Sequence, residues 1–169
     1  DGTGDWLSAP DHADWDFGSG DFTVDFWVRW GTAPAAIQSL VAQYNSTSNQ
    51  RSWQFYADGT NLVLATSTDG ITGATAIARA WTPSTNTWYH VAVVKQGATG
   101  YKLFVDGTQI GVTETDTSTI PDFGASLFVG GNAPFGASAF SGWMDEIRIS
   151  KGIARWTANF STPKHPYGA

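Results

Sequence analysis

From Phe22 to Trp30 the chain alternates strictly, with Phe22, Val24, Phe26 and Val28 on one face and Thr23, Asp25, Trp27 and Arg29 on the other. A period of two is that of a half-buried β-strand. Shorter runs follow the same rule. Arg51–Ala57 closes at Asp58-Gly59, and Asn61–Ser67 stops before Asp69-Gly70. Trp88–Lys95 reads as a long strand. Tyr101–Asp106 and Thr108–Val112 meet around Asp106-Gly107, a hairpin signal because glycine tolerates positive φ. Leu127–Gly130 and Phe140–Ser150 complete the set, and only Ile153–Trp156 is expected to make a helical turn. Many short strands with turn residues between them predict an all-β fold, a two-sheet antiparallel β-sandwich of jelly-roll type. No repeat or linker divides the chain, so residues 1–169 read as one domain.

Composition sharpens this picture. Strong helix formers are scarce, with two Glu, four Lys and one Met, whereas Thr occurs 20 times and Gly 19 times. Threonine and aromatics suit a pleated surface; glycine and aspartate suit the turns. There is no cysteine, which removes disulfide scaffolds, thiolate metal sites and thiol nucleophiles. Nine Lys and Arg against 15 Asp and Glu give a formal charge of −6. That balance argues against nucleic acid and anionic membranes as partners, since both need a basic surface to displace counterions. No apolar run approaches the roughly 18 residues of a spanning helix, so no membrane insertion is expected. The chain begins with Asp, and is expected to be part of something longer.

Most chemical motifs are absent. There is no phosphate-binding glycine loop leading into a helix, no His-x-x-x-His pair and no nucleophile elbow. His12, His90 and His165 are widely separated, and ordinary hydrogen-bonded histidines account for each.

The runs FTVDFWVRW, TWYHVAVVK with YKLFVDGTQIG, and FSGWMDEIRISKGIARW resemble the laminin-G-like, concanavalin A-like jelly roll. The resemblance is greatest to the variety found in phage and environmental virus proteins, and it runs from Asp5 to Tyr167. These are fold motifs, so they specify architecture more than function. Relatives usually carry further strands before the segment matching DGTGDWLSAPD, which leaves the closure of one sheet edge to an upstream segment or another subunit. The resemblance implies two stacked sheets that bind glycans, or that hydrolyse or eliminate them.

The enzyme branches can be tested on the residues. Glycoside hydrolysis needs two carboxylates flanking the bond, and the hydrolase branch is marked by a Glu-x-Asp-x-x-Glu strand. Only Glu114 and Glu146 are present, far apart, and Asp145-Glu146 are strand neighbours expected to point to opposite faces. The lyase branch implies a His, Tyr, Gln and Arg set, of which His90 beside Tyr89 is a faint trace. No catalytic residues are assigned.

In Trp143-Met-Asp-Glu-Ile-Arg-Ile149, strict alternation puts Asp145 on a face with Trp143, Ile147 and Ile149. A carboxylate there must be paired, bonded by backbone amides, or bound to a cation. The resemblance implies a structural Ca²⁺, for which Asp145, Asp5 and Asp1 are the candidate ligands and Asp11 and Asp14 further ones. The alternative is that Asp145 only accepts backbone N–H bonds from a neighbouring loop.

The nine Trp divide the same way. Trp143 reads as core. Trp27 lies opposite the apolar stripe with Asp25 and Arg29. Trp53 is close to Tyr44, Asn45 and Arg51 around a polar loop, and Trp81 sits beside Thr82-Pro83. Sugars stack on aromatic rings while amide, acid and guanidinium groups bond their hydroxyls, so Tyr44, Asn45, Arg51, Trp53, Trp81 and Trp27 form the candidate carbohydrate site. Each Trp has the alternative role of a loop clasp packed onto the sandwich.

The sequence thus predicts a non-catalytic, lectin-like carbohydrate-binding domain for adhesion or decoration, extracellular or on a virion surface. Its partner is a glycan or polysaccharide. The rival is a structural or assembly module that binds protein partners, through homo-oligomers or attachment to a larger virion or secreted protein.

Overall fold

A computed structural model describes residues 1–116, 118–132 and 138–164; His165 and Tyr167 lie outside them. The strands are β1 (Leu7–Ala9), β2 (Phe22–Trp30), β3 (Gln38–Asn45), β4 (Gln50–Ala57), β5 (Asn61–Thr66) and β6 (Ala74–Ala80). They continue as β7 (Trp88–Gln96), β8 (Gly100–Val105), β9 (Thr108–Gln109), β10 (Leu127–Val129) and β11 (Gly142–Lys151). Every pairing is antiparallel. One sheet has the order β1-β10-β3-β4-β5-β6 and the other β11-β2-β7-β8-β9. No α-helix occurs among the described residues, only single 3-10 turns at Ala13–Trp15 and Gly97–Thr99.

The alternation in β2 is the reason the sandwich closes. Phe22, Val24, Phe26, Val28 and Trp30 are all fully buried between the sheets. Phe26 meets Phe55 of β4 edge-on at 5.7 Å, Phe17 stacks on Phe22 at 4.0 Å, and Trp30 is clasped by Trp81 and Phe140. Burying one such ring contributes about 1.5–3 kcal/mol.

The strand β11 departs from strict alternation. Its register against β2 shifts between Asp145 and Arg148, and Glu146 adopts the left-handed φ of 53°. This is a β-bulge, and one extra residue exchanges the faces of everything beyond it. Met144 and Ile149 therefore both pack on the core, while Trp143 and Ile147, expected inside, are partly exposed.

Ile153–Trp156 is extended rather than helical. The Thr23 hydroxyl donates to the Ile153 carbonyl at 2.9 Å and accepts the Arg155 N–H at 3.0 Å, tying this stretch flat onto β2.

Candidate functional site

Cross-strand register arranges the outer face of the five-stranded sheet in rows. Trp143, Arg29 and Trp88 oppose one another across β11, β2 and β7, and the next row is Asp145, Trp27 and His90. Beyond the bulge come Arg148, Asp25 and Ala92, then Ser150, Thr23 and Val94.

The chain after β11 folds back over the last two rows as a strap. Trp156 and Phe160 stack at 3.9 Å, and both meet the His90 ring nearly at right angles, at 5.5 and 5.7 Å. Gly107 has a φ of 74°, and any Cβ there would strike the Phe160 carbonyl, so only glycine lets the strap dock. Beneath the strap Asp25 is fully buried. Arg148 donates to both its oxygens, at 3.1 and 2.9 Å, and His90 Nε2 donates at 3.2 Å. A buried carboxylate is tolerated only with such partners, and removing one typically costs about 3–5 kcal/mol. This network holds Trp27 from below, with His90 edge-on to its ring at 5.5 Å.

The first two rows stay open except at His90, which is fully buried against the strap. A groove of about 530 Å³ runs over them, lined by Trp27, Trp88, Asp145 and Glu146 of the sheet and by Thr162, Pro163 and Lys164 of the strap. Trp88 is 41% exposed, and Trp143, at the other end of the first row, is 52% exposed. Between them the Arg29 guanidinium lies 4.7 Å from the Trp143 ring and donates to Asn86 Oδ1 at 3.0 Å. Adjacent strand residues should point apart, yet the bulge brings both Asp145 and Glu146 to the groove. Asp145 Oδ1 accepts the Glu146 N–H at 2.8 Å, which fixes the bulge. The bond is to the next residue of its own strand and not to a neighbouring loop, and it is made on an outward rather than an apolar face.

The six candidate sugar-binding residues occupy four separate places. Trp27 is in the groove. Tyr44, Asn45 and Arg51 gather at the β3–β4 hairpin, where the Arg51 guanidinium lies 5.7 Å from the Tyr44 ring and ties the hairpin to the β5–β6 loop. Arg51 donates to the Ser46 and Gly70 carbonyls at 3.0 and 3.2 Å, and Asn45 Oδ1 caps Thr47 and Ser48. Trp53 is fully buried, its indole N–H donating to the Trp15 carbonyl at 3.2 Å, so it offers no ring face to a ligand. Trp81 is a loop clasp, edge-on to Trp30 and Tyr89 at 5.5 and 5.2 Å.

Of the proposed metal ligands, Asp1 and Asp5 are neighbours, the Asp1 amino group donating to Asp5 Oδ2 at 3.3 Å, but Asp145 stands apart from them. Asp5 lies at the open flank beside Met144, whereas Asp145 follows Met144 on the opposite face of β11. Asp1 Oδ1 accepts the Thr3 N–H at 2.8 Å, and Asp14 pairs with His12 at 3.3 Å. A different trio converges instead. Carboxylate oxygens of Asp11, Asp16 and Asp122 lie within 4.8 Å of one another. The buried Gln43 amide points at them from β3, at 3.0, 3.5 and 3.2 Å. Burial, and then the Asp122 charge, raises the Asp16 carboxyl above its ordinary value. Clustered carboxylates with an amide that can turn its oxygen inward are the hard donors that calcium takes, so this trio fits the ion where Asp145, Asp5 and Asp1 do not.

The sequence profile of the concanavalin A-like lectin/glucanase superfamily, in its laminin-G-like form, matches residues 1–155. The chain belongs to this superfamily. No curated protein sequence matches the chain. Among solved structures, domain 4 of an extracellular arabinanase from Geobacillus stearothermophilus, seen with arabinotriose, is 17% identical with a TM-score of 0.64. That alignment covers 87% of this chain and 66% of the arabinanase domain, so the chain spans just under two thirds of that relative. The sialidase module CBM40 of Ruminococcus gnavus, bound to α2,3-sialyllactose, is also 17% identical with a TM-score of 0.64, over 90% of this chain and 93% of the module. A botulinum neurotoxin type C structure, whose cell entry depends on two ganglioside molecules, aligns over 88% of this chain and 37% of its own at 15% identity and a TM-score of 0.61. At these identities the likeness is one of fold.

Proposed function

We propose that this superfamily member is a non-catalytic glycan-binding domain whose site is the groove over Trp27 and Trp88. The observation that carries this reading is the open aromatic floor on an otherwise polar face. The part-exposed Trp88 and Trp27 stand beside Asp145, Glu146 and Thr162, which can bond hydroxyls, and the strap supplies a wall. Indole rings offer large apolar area held in place, here by the Asp25–His90–Arg148 network beneath. Solved neighbours with the same fold bind arabinotriose, sialyllactose and gangliosides, which supports the ligand class. We place the domain's role in adhesion or decoration outside the cell, at a virion or secreted-protein surface. The resemblance of its strand motifs to phage and viral relatives and the extracellular arabinanase neighbour favour that setting.

A glycan array tests the reading. Specific, saturable binding is expected from the wild type, and Trp88→Ala should weaken it at least tenfold, about 1.4 kcal/mol. Trp88 is partly exposed, so this change should leave the melting temperature nearly unmoved. Because Asp145 and Glu146 share the groove, turnover is tested on the same ligands. No reducing ends or unsaturated products should appear; product formation abolished by Glu146→Gln would make the domain an enzyme. Self-association without sugar binding would favour the assembly module, for which the apolar cleft lined by Trp6, Leu7, Phe140 and Met144 between β1 and β11 is the candidate surface.

We propose calcium as a structural ion at Asp11, Asp16 and Asp122. Bound there, it would neutralise three converging carboxylates and join the segment before β2 to the loop before β10.

A further inference from the structure

Resting on the reading of the groove as a glycan site, we infer that its ligand is an uncharged oligosaccharide lying across the strands, not an acidic sugar. The charges around the groove are arranged against an anion. Asp145 and Glu146 both line it, and Lys164 is the one cation among its described lining residues. Of the neighbouring cations, Arg29 is engaged by the Asn86 side chain and the Trp143 ring, and Arg148 by Asp25. The whole chain carries −6, which repels polyanions at long range. A sugar carboxylate entering here meets two like charges, whereas a neutral hydroxyl can donate a charge-assisted bond to Asp145. The groove takes in Trp88 on β7 and Asp145 on β11, on strands two apart and roughly 9–10 Å by the usual strand spacing. That span exceeds one sugar ring, so a chain of linked sugars reaches both.

Titration calorimetry against matched pairs tests this. Galactan oligomers are compared with galacturonan oligomers, lactose with sialyllactose, and arabinotriose with arabinose, each at low and high salt. At least one neutral oligosaccharide should bind at least tenfold more tightly than its carboxylated partner and than its monosaccharide. Its affinity should not change with salt, and Asp145→Asn should narrow the gap to the charged partner. A preference for the carboxylated member, weakened by salt, would overturn this inference while leaving the glycan-binding reading intact. A monosaccharide binding as tightly as its oligomer would also overturn it. Failure of every sugar, neutral and acidic, would end both.

Discussion

Asp69 holds the turn after β5. Its Oδ1 accepts the Ile71 and Thr72 amides at 2.8 and 2.7 Å and the Ser67 hydroxyl at 3.0 Å. These bonds favour the ionised form and bring its pKa down to about 2. With the folded value below the unfolded one, the contribution is present above about pH 4 and is lost as pH falls toward 2. Asp69→Asn should therefore flatten the stability-versus-pH curve in that window, measured by urea denaturation; an unchanged slope would contradict it. At this scale the tryptophans were only half legible. The position of Trp27 opposite the stripe of Phe22, Val24, Phe26 and Val28 is visible in the alternation. The burial of Trp53 is written in the same kind of pattern, since Trp53, Phe55 and Ala57 alternate with Ser52, Gln54 and Tyr56, but the polar loop beside it drew the residue into the sugar-binding set. Trp88 shares parity with His90 on β7, and that parity, read against Trp27, was the available signal for the groove.

Elements with clean alternation were readable, and those with bulges were not. The register of β3 shifts twice against β4, between Ser39 and Val41 and between Gln43 and Tyr44, so Leu40 and Val41 both point inward and its period is lost. β6 is built largely of alanine, a weak strand former. In β11 the bulge at Glu146 moved Asp145 out of its expected apolar face, and with it the calcium site. Asp16 and Asp122 each begin an Asp-Phe-Gly turn more than a hundred residues apart, and only the fold brings them together on Gln43. With the Asp16 pKa raised, the metal-free domain should lose stability as pH rises through that carboxyl's range. Calcium should restore it. Binding to the folded state alone adds about 2.7 kcal/mol at a hundredfold excess over Kd. At roughly 2–4 °C per kcal/mol, that raises the melting temperature by several degrees. EDTA should reverse the gain, Mg²⁺ should substitute poorly, Asp122→Asn should remove the response, and Asp145→Asn should keep it. A melt indifferent to calcium after EDTA stripping would leave the trio bonded to Gln43 alone.

At the scale of the molecule, two sheets share one core, and the outer face of the smaller sheet is divided by the strap. Its covered half is a buried charge network under stacked rings; its open half is an aromatic groove. The covered half positions the open one, because His90 touches Trp27, Trp156 and Phe160 at once. The most direct measurement is a crystal structure of the domain with the tightest-binding oligosaccharide from the array. The sugar should stack on Trp88 and Trp27, with a hydroxyl bonded to Asp145 and the strap residues Thr162–Lys164 alongside. Sugar density on the outer face of the six-stranded sheet or at the β3–β4 hairpin, with the groove empty, would contradict the assignment.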